Sequence, residues 1–410
     1  MRLAPDTCEH HPRSRRPPAI VQMIGCSCIG CGRGHLEDGL LCACELGCRG
    51  WQWFQGGKMS RGATAPIKGA SVRAAALRVG DWVRVRSAEE ILASLDDRCR
   101  QDGLPFMPEM LAFAGRRFQV SAVTHRTCDT VKTSGTSGTT RRMEGAVHLQ
   151  DLRCGGSAHG GCQASCLLFW KEDWLESVSA AEQTEELEGV AADPIDEAPA
   201  LLVAATRGEG HTDDAPVYSC QATDLLRATQ FVSVRDPRMW VKDVRSGNAR
   251  LTATLASLAV LMFNKWQGFS TRLPGRLRIK DGRPWPWYLP TGDRVSHPPL
   301  NLQSGELVEV KSLPEIEATL DDNDAVRGLR FAAEMIPYCG KQARVKARVE
   351  RIIDEKTGRM LRLRDCIMLE DVWCQGTFRA LCRRKIYTYW REAWLRRVDP
   401  ASGTDSLIDR

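Results

Sequence analysis

The chain has 410 residues, a hydrophobic fraction of 43% and a formal net charge of +6. Its length suits about two to four domains, and its apolar content excludes a chain disordered throughout. So modest a charge does not make it an obligate nucleic-acid binder, and with no run of about 18 uncharged apolar residues the sequence predicts no transmembrane span.

Residues 1–30 are basic but lack the apolar core of a secretory signal, so a reducing cytoplasm is the expected compartment. In such a compartment the 17 cysteines point to metal ligation before disulfides. Cys99 and Cys220 have no cysteine or histidine nearby in sequence and read as small buried hydrophobes.

Residues 1–76 read as a poorly ordered, Cys-rich N-terminal segment. Cys26, Cys28, Cys31, Cys42, Cys44 and Cys48 surround His35, as a small zinc knuckle would require. The lack of apolar periodicity favours a second reading, in which the folded protein starts at Met59.

The first module spans residues 77–178. Gly80–Val85 (GDWVRV) alternates as a strand does. Ser87 and Glu90 form a capping box, which starts a helix over Ala88–Asp96. Alternation returns over Arg117–His125 and Ala146–Leu152, separated by a polar loop, TVKTSGTSGTTRR, expected to be mobile. A helix is predicted over 163–178, where Trp170 and Trp174 lie four residues apart and so share a face.

Residues 179–215 read as a flexible acidic linker: 176–214 hold eleven Asp or Glu against one Arg. Residues 216–300 form a helical, basic connecting region, with twelve Lys or Arg against four Asp or Glu from 235 to 300. Asp236-Pro237 predicts a helix start and Ser246-Gly247-Asn248 its end. A second helix begins near Ala249 and is apolar nearly all round from Leu251 to Phe263. Burial is the expectation for it, with a membrane surface or a partner as the other reading. Trp285, Trp287 and Tyr288 either stack on a ligand or pin their loop.

The second module spans 301–398, followed by a tail, 399–410. Gly80–Asp129 aligns without a gap on Gly305–Asp354. Val83 meets Val308, Ser87 meets Ser312, Glu90 meets Glu315, Glu109 meets Glu334 and Gly115 meets Gly340. Arg153–Leu175 aligns likewise on Trp373–Leu395, where Cys154 meets Cys374, Cys162 meets Cys382 and Trp170 meets Trp390. The chain is a tandem duplication and not a solenoid.

Chemistry concentrates in Cys154, His159, Cys162 and Cys166, spaced C-x4-H-x2-C-x3-C, with Cys128 a fifth candidate. Zinc takes four soft N or S ligands in a tetrahedron, and Gly155, Gly156, Gly160 and Gly161 let a backbone turn tightly around it. Buried thiols and catalytic or redox cysteines are the other readings. In the second module His159 becomes Arg379 and Cys166 becomes Ile386. Cys374 and Cys382 remain, and Cys339 and Cys366 stand nearby.

The fold class is α+β: two homologous SH3-like β-barrel modules, each with a helical insert and a C-terminal helix, joined by the acidic linker and the basic region. From Gly80 to Val398 a pattern of GDWV, SxEEI, EM, C and W(K/R)ExWL, matched in the second copy by GELV, SLPEI, EM, C and WREAWL, resembles an uncharacterised bacterial family with a duplicated SH3-like, cysteine-bearing module. The resemblance implies the architecture and no activity. The expected function is a non-enzymatic, metal-stapled binding or scaffold protein with a protein partner. A metalloenzyme is the alternative, favoured if a polar pocket with a free acid such as Glu109 faces the metal. Nucleic-acid binding through the basic region and thiol redox sensing at Cys162 and Cys166 are further alternatives.

Overall fold

The computed structural model describes residues 76–130, 139–178, 198–285 and 298–398, all within the unit Ser71–Arg410. The N-terminal cysteine cluster, most of the acidic linker, the centre of the polar loop, Trp287, Tyr288 and the tail lie outside the described residues.

Each module is a five-stranded antiparallel sheet curled into a half-barrel. In the first the order across the sheet is Leu167–Lys171, Ala146–Arg153, Arg117–Val123, Trp82–Val85 and Leu175–Ser177. In the second it is Tyr387–Arg391, Cys366–Trp373, Gln342–Arg348, Leu307–Val310 and Leu395–Arg397. Register repeats with order: Val83 faces Phe118 and Ser177, while Val308 faces Ala343 and Arg397. Even the irregularity is shared, at Val120/Ala122 and at Val345/Ala347. A bulge re-aims a strand, so its repetition fixes the same curl in both copies.

Local signals explain most elements. Ser87 caps α1 (Ala88–Ser94): its hydroxyl accepts from Glu90 N at 3.2 Å and its own N–H donates to the Glu90 carboxylate at 3.1 Å. Ser312 and Glu315 repeat the box on the helix Leu313–Glu317. The helix expected over 163–178 does not form, nor does a counterpart in the second module. Leu167–Lys171 is a strand, Glu172–Trp174 a single 3-10 turn and Leu175–Ser177 another strand. The run LLFWK is buried along its whole length, and a short apolar, aromatic run suits a covered strand better than one helix face. The four-residue spacing of the tryptophans is met by strand plus turn, which sends both indoles into the core. Phe106 meets Trp174 edge-on at 5.2 Å, and Phe331 meets Trp394 at 5.4 Å. Truncating a buried Trp or Phe costs roughly 3–5 kcal/mol, so these trios hold each half-barrel closed.

The modules interlock by exchanging loops. Cys162 Sγ, in the loop after Ala146–Arg153, accepts from Ile353 N of the second module at 3.4 Å. Cys382 Sγ, its counterpart, accepts from Cys128 N of the first module at 3.0 Å. Gln163 N donates to Arg351 O at 3.0 Å, and Arg126 Nη1 donates to Ala380 O at 3.2 Å.

The connecting region closes over this pair. Two short helices, α2 (Ala200–Ala205) and α3 (Leu225–Ala228), put Leu202 and Leu225 into the first module's core. Gln230–Ser233 pairs with Thr139–Arg142, so the end of the polar loop is a strand. Helix α4 (Pro237–Arg245) starts at the Asp236 cap with Pro237 first and ends at Ser246, as the sequence predicts. Its Trp240 lies 3.6 Å beneath the Arg126 guanidinium, and its Asp243 pairs with Arg126 at 3.0 Å, both charges buried. Helix α5 (Leu251–Ser270) is longer than its apolar run suggests and is not a buried hairpin helix: Leu251, Leu255, Met262, Trp266 and Phe269 are exposed.

Buried and half-buried histidines make the first module acid-sensitive: burial, with Lys242 and Arg126 nearby, pushes His125 down to about 4, and His148 lies lower still. His148 lies against Phe169, ring centres 4.4 Å apart and tilted by 45°, with Nδ1 2.8 Å from Leu168 O, and burial pushes its imidazole down to about 3. The unfolded chain takes up that proton near pH 6.5 while the folded chain resists it. The neutral ring therefore stabilises the fold above about pH 6.5, and this contribution falls by up to about 1.4 kcal/mol per pH unit as pH drops towards the folded value. The second module carries the apolar Met368 at the matching position. His148→Met should flatten the decline in urea midpoint between about pH 6.5 and pH 4.5; an unchanged decline would place the acid sensitivity elsewhere.

Candidate metal centre

The cysteine loop of the first module is closed at its base by Cys154 N donating to Cys166 O at 2.8 Å. Its tip needs Gly156, at φ +79°, because a Cβ there would lie 1.9 Å from Cys162 O. The second module repeats both features: Cys374 N donates to Ile386 O at 2.8 Å, and Gly376, at φ +76°, packs on Cys382 O. A 3-10 turn over Ser157–His159 then points His159 back at Cys154.

Glu109 joins them from another element. It lies on the 3-10 turn Pro108–Phe113, directly after the Phe106 anchor, and is 6% exposed. Cys154 Sγ donates to Glu109 Oε1 at 3.1 Å and lies 3.4 Å from His159 Nε2; His159 Nδ1 is 4.0 Å from Glu109 Oε1. One ligand atom from each residue falls within 4.8 Å of the others, so this buried cluster could hold a metal ion. Two of its polar atoms, Glu109 Oε2 and His159 Nδ1, are buried without a hydrogen-bond partner. Such atoms are rare in folded proteins and call for an unseen partner.

Cys162 and Cys166 do not enter that triad, but they line the same cavity of about 40 Å³ with Cys154, His159 and Cys220. Burial pushes the thiols of Cys154 and Cys162 up, with Glu109 adding to the effect at Cys154, and raises Cys166 to about 12 and Cys220 to about 11. Burial pushes the His159 imidazole down, with Glu109 opposing. A divalent cation would reverse this logic, since a coordinating thiol is deprotonated outright.

Cys128 is held elsewhere, against Cys382 across the module boundary. A hydrogen bond from Cys382 holds its thiol below the ordinary cysteine range, against burial and with help from Arg384 and Arg379. Sequence reasoning missed Glu109 as a member of the set. The available signal was its repetition as Glu334.

The second module shows what the same scaffold does without histidine. Glu334 Oε1 accepts from Phe378 N at 2.7 Å, and the Arg379 guanidinium supplies positive charge nearby. Its carboxyl is still pushed up by burial, but backbone donors and a fixed cation serve it. Arg379 stands where the first module has His159, and that module lacks an equivalent cation.

An orphaned buried carboxylate oxygen costs about 1–3 kcal/mol. With a chelator present, Glu109→Met should therefore leave the urea stability of the full chain unchanged or raise it by about that amount. A loss of more than about 3 kcal/mol would mean that the contacts of the carboxylate with Cys154 and His159 outweigh its orphaned oxygen. No protein-family model, curated protein or solved structure matches this chain.

Proposed function

We propose that this is a non-enzymatic binding or scaffold protein in which one buried metal ion staples the first of two interlocked, SH3-like modules. The orphaned Glu109 Oε2 and His159 Nδ1 beside Cys154 carry the reading. Sulfur and imidazole donors favour zinc over magnesium or calcium. Cys154, His159 and Glu109 would hold it, and Cys162, Cys166 or Cys220, which line a cavity with Cys154 and His159, would complete four ligands.

Enclosure favours a staple over a catalyst. Glu109 does face the site, which on sequence grounds favours an enzyme. It faces it as a buried ligand candidate, though, and the cavity of about 40 Å³ has room for an ion or a water molecule and not for a substrate. Redox sensing at Cys162 and Cys166 is disfavoured by their raised thiols, because reactive cysteines need the opposite shift.

For partner binding the cleft between the modules is the favoured surface. It has a volume of about 670 Å³, within the usual range of binding clefts. Arg153 sits 4.3 Å over the Tyr387 ring, and Trp373, Lys341 and Lys346 add aromatic and cationic lining, three cations against Asp151 and Asp371. An acidic protein segment suits that chemistry better than a neutral one. The ten described cysteines are free thiols, which fits the reducing cytoplasm we propose as its compartment.

Elemental analysis of the purified full chain tests the staple. One zinc per chain is expected, lost in Cys154→Ala and in His159→Ala and kept in Cys374→Ala. Chelation should lower the unfolding temperature of the wild type and leave that of His159→Ala unmoved. A wild-type chain purified without metal that also fails to take up added zinc would refute the staple.

A further inference from the structure

Helix α5 is amphipathic in the reverse sense. Its fully buried positions are polar, Thr254, Ser257, Gln267 and Ser270, while Leu258 and Leu261 pack half-buried against Trp240, Ala380 and Leu381. Ser257 Oγ donates to Thr377 O at 2.8 Å, and Gln267 Nε2 donates to Ile279 O and Arg283 O at 3.0 Å each. These bonds fix the rotation of the helix about its axis. Its outward positions are apolar. Leu251, Leu255, Met262, Trp266 and Phe269 recur at steps of four, seven, four and three residues, which is one helix face. Met262 is 71% and Phe269 55% exposed, and the exposed Leu277 and Ile279 follow in the next turns.

The sequence around this face is basic. Residues 235–285 contain eleven Lys or Arg against three Asp. Of those acids Asp243 is buried against Arg126 and Asp236 caps α4, so little negative charge offsets the cations. An apolar groove of about 710 Å³ opens between α4 and α5, its lining including Trp240, Leu258, Leu261 and Met262 together with Arg235 and Lys265.

We propose that α5 and the flanking basic segments form a docking surface for an anionic lipid bilayer. The apolar stripe would enter the boundary between headgroups and acyl chains, and the arginines and lysines would meet the headgroup phosphates. Among the described residues no helix is long and apolar enough to cross a membrane, so α5 lies along the interface plane. A second copy of this chain could also cover an apolar face, but it would bring its own Arg235 and Lys265 to the same seam. Like charges facing each other disfavour that pairing, whereas an anionic bilayer satisfies the stripe and the cations together. The proposal is independent of the metal staple.

Flotation of the full chain with vesicles tests it. The wild type should float with vesicles of phosphatidylcholine plus phosphatidylglycerol and not with phosphatidylcholine alone, and added salt should weaken the association. The double variant Met262→Glu/Phe269→Glu alters only exposed positions and should keep the thermal melt while losing affinity roughly tenfold or more. With wild-type protein, lipids brominated in their acyl chains should quench tryptophan fluorescence as Trp266 enters the apolar layer. Failure to float with the anionic vesicles overturns the proposal. So does flotation of the double variant equal to wild type, because the cations alone would then carry it. Absence of quenching by the brominated lipids overturns it too, as does a dimer seen by light scattering that the double variant disperses while neither protein floats.

Discussion

Each module's cysteine loop supplies a sulfur acceptor for a buried amide of the other module. Cys162 takes the Ile353 N–H and Cys382 takes the Cys128 N–H, at positions that correspond in the duplicated sequence. A buried amide without an acceptor is costly, so neither module can leave the other without exposing or orphaning one. Gly156 and Gly376 follow from the same constraint, because the loop must fold back on its own cysteine carbonyl before the sulfur can reach across. This reciprocity explains why the paired cysteines occur in both copies although the histidine does not. Their shared role is the seam; the extra ligand types belong to the first module alone.

Against that common frame the two copies resolve one electrostatic problem differently. A carboxylate is buried on the turn after Phe106 and again on the turn after Phe331. The second copy satisfies it with loop amides and Arg379. The first leaves one oxygen and one imidazole nitrogen without partners. A fixed cation and an exchangeable one are alternative answers to the same burial, and only the first module's residue types suit the exchangeable kind.

How much of this was legible follows from the range of each signal. Capping boxes at Ser87 and Ser312, the Asp236 cap and the register of the repeat depend on residues close in sequence or on simple matching, and all could be read. The stretch ending in Trp174 was misread because four-residue spacing suits a helix face and equally a strand followed by one 3-10 turn; total burial, invisible in sequence, decides. Glu109 was seen as a repeated acid but not as a partner of Cys154, since 45 residues separate them and only the curl of the sheet joins their turns. Cys128 seemed close to the cysteine loop for the converse reason. It follows the preceding strand in sequence, yet the loop exchange gives it to Cys382.

Helix α5 shows the same limit from the other side. Its composition is apolar nearly all round, and burial is the ordinary fate of such a helix. Composition cannot say which way the helix is rotated. That is decided by a few hydroxyl and amide groups with directional needs: Ser257 for one carbonyl of the second module's loop, Gln267 for two carbonyls of the following segment. A buried polar group without a partner costs about 1–3 kcal/mol, comparable to what burying one leucine gains, but burial of apolar surface is non-directional whereas a hydrogen bond needs a particular partner. The polar face therefore turns inward and the apolar stripe is left outside. An apolar stripe in water is a standing cost, and Arg235 and Lys265 on the adjoining groove would repel their copies in a self-paired surface. The orientation makes physical sense when the second solvent of this helix is an anionic lipid boundary, where the stripe and its cations each meet the phase that suits them.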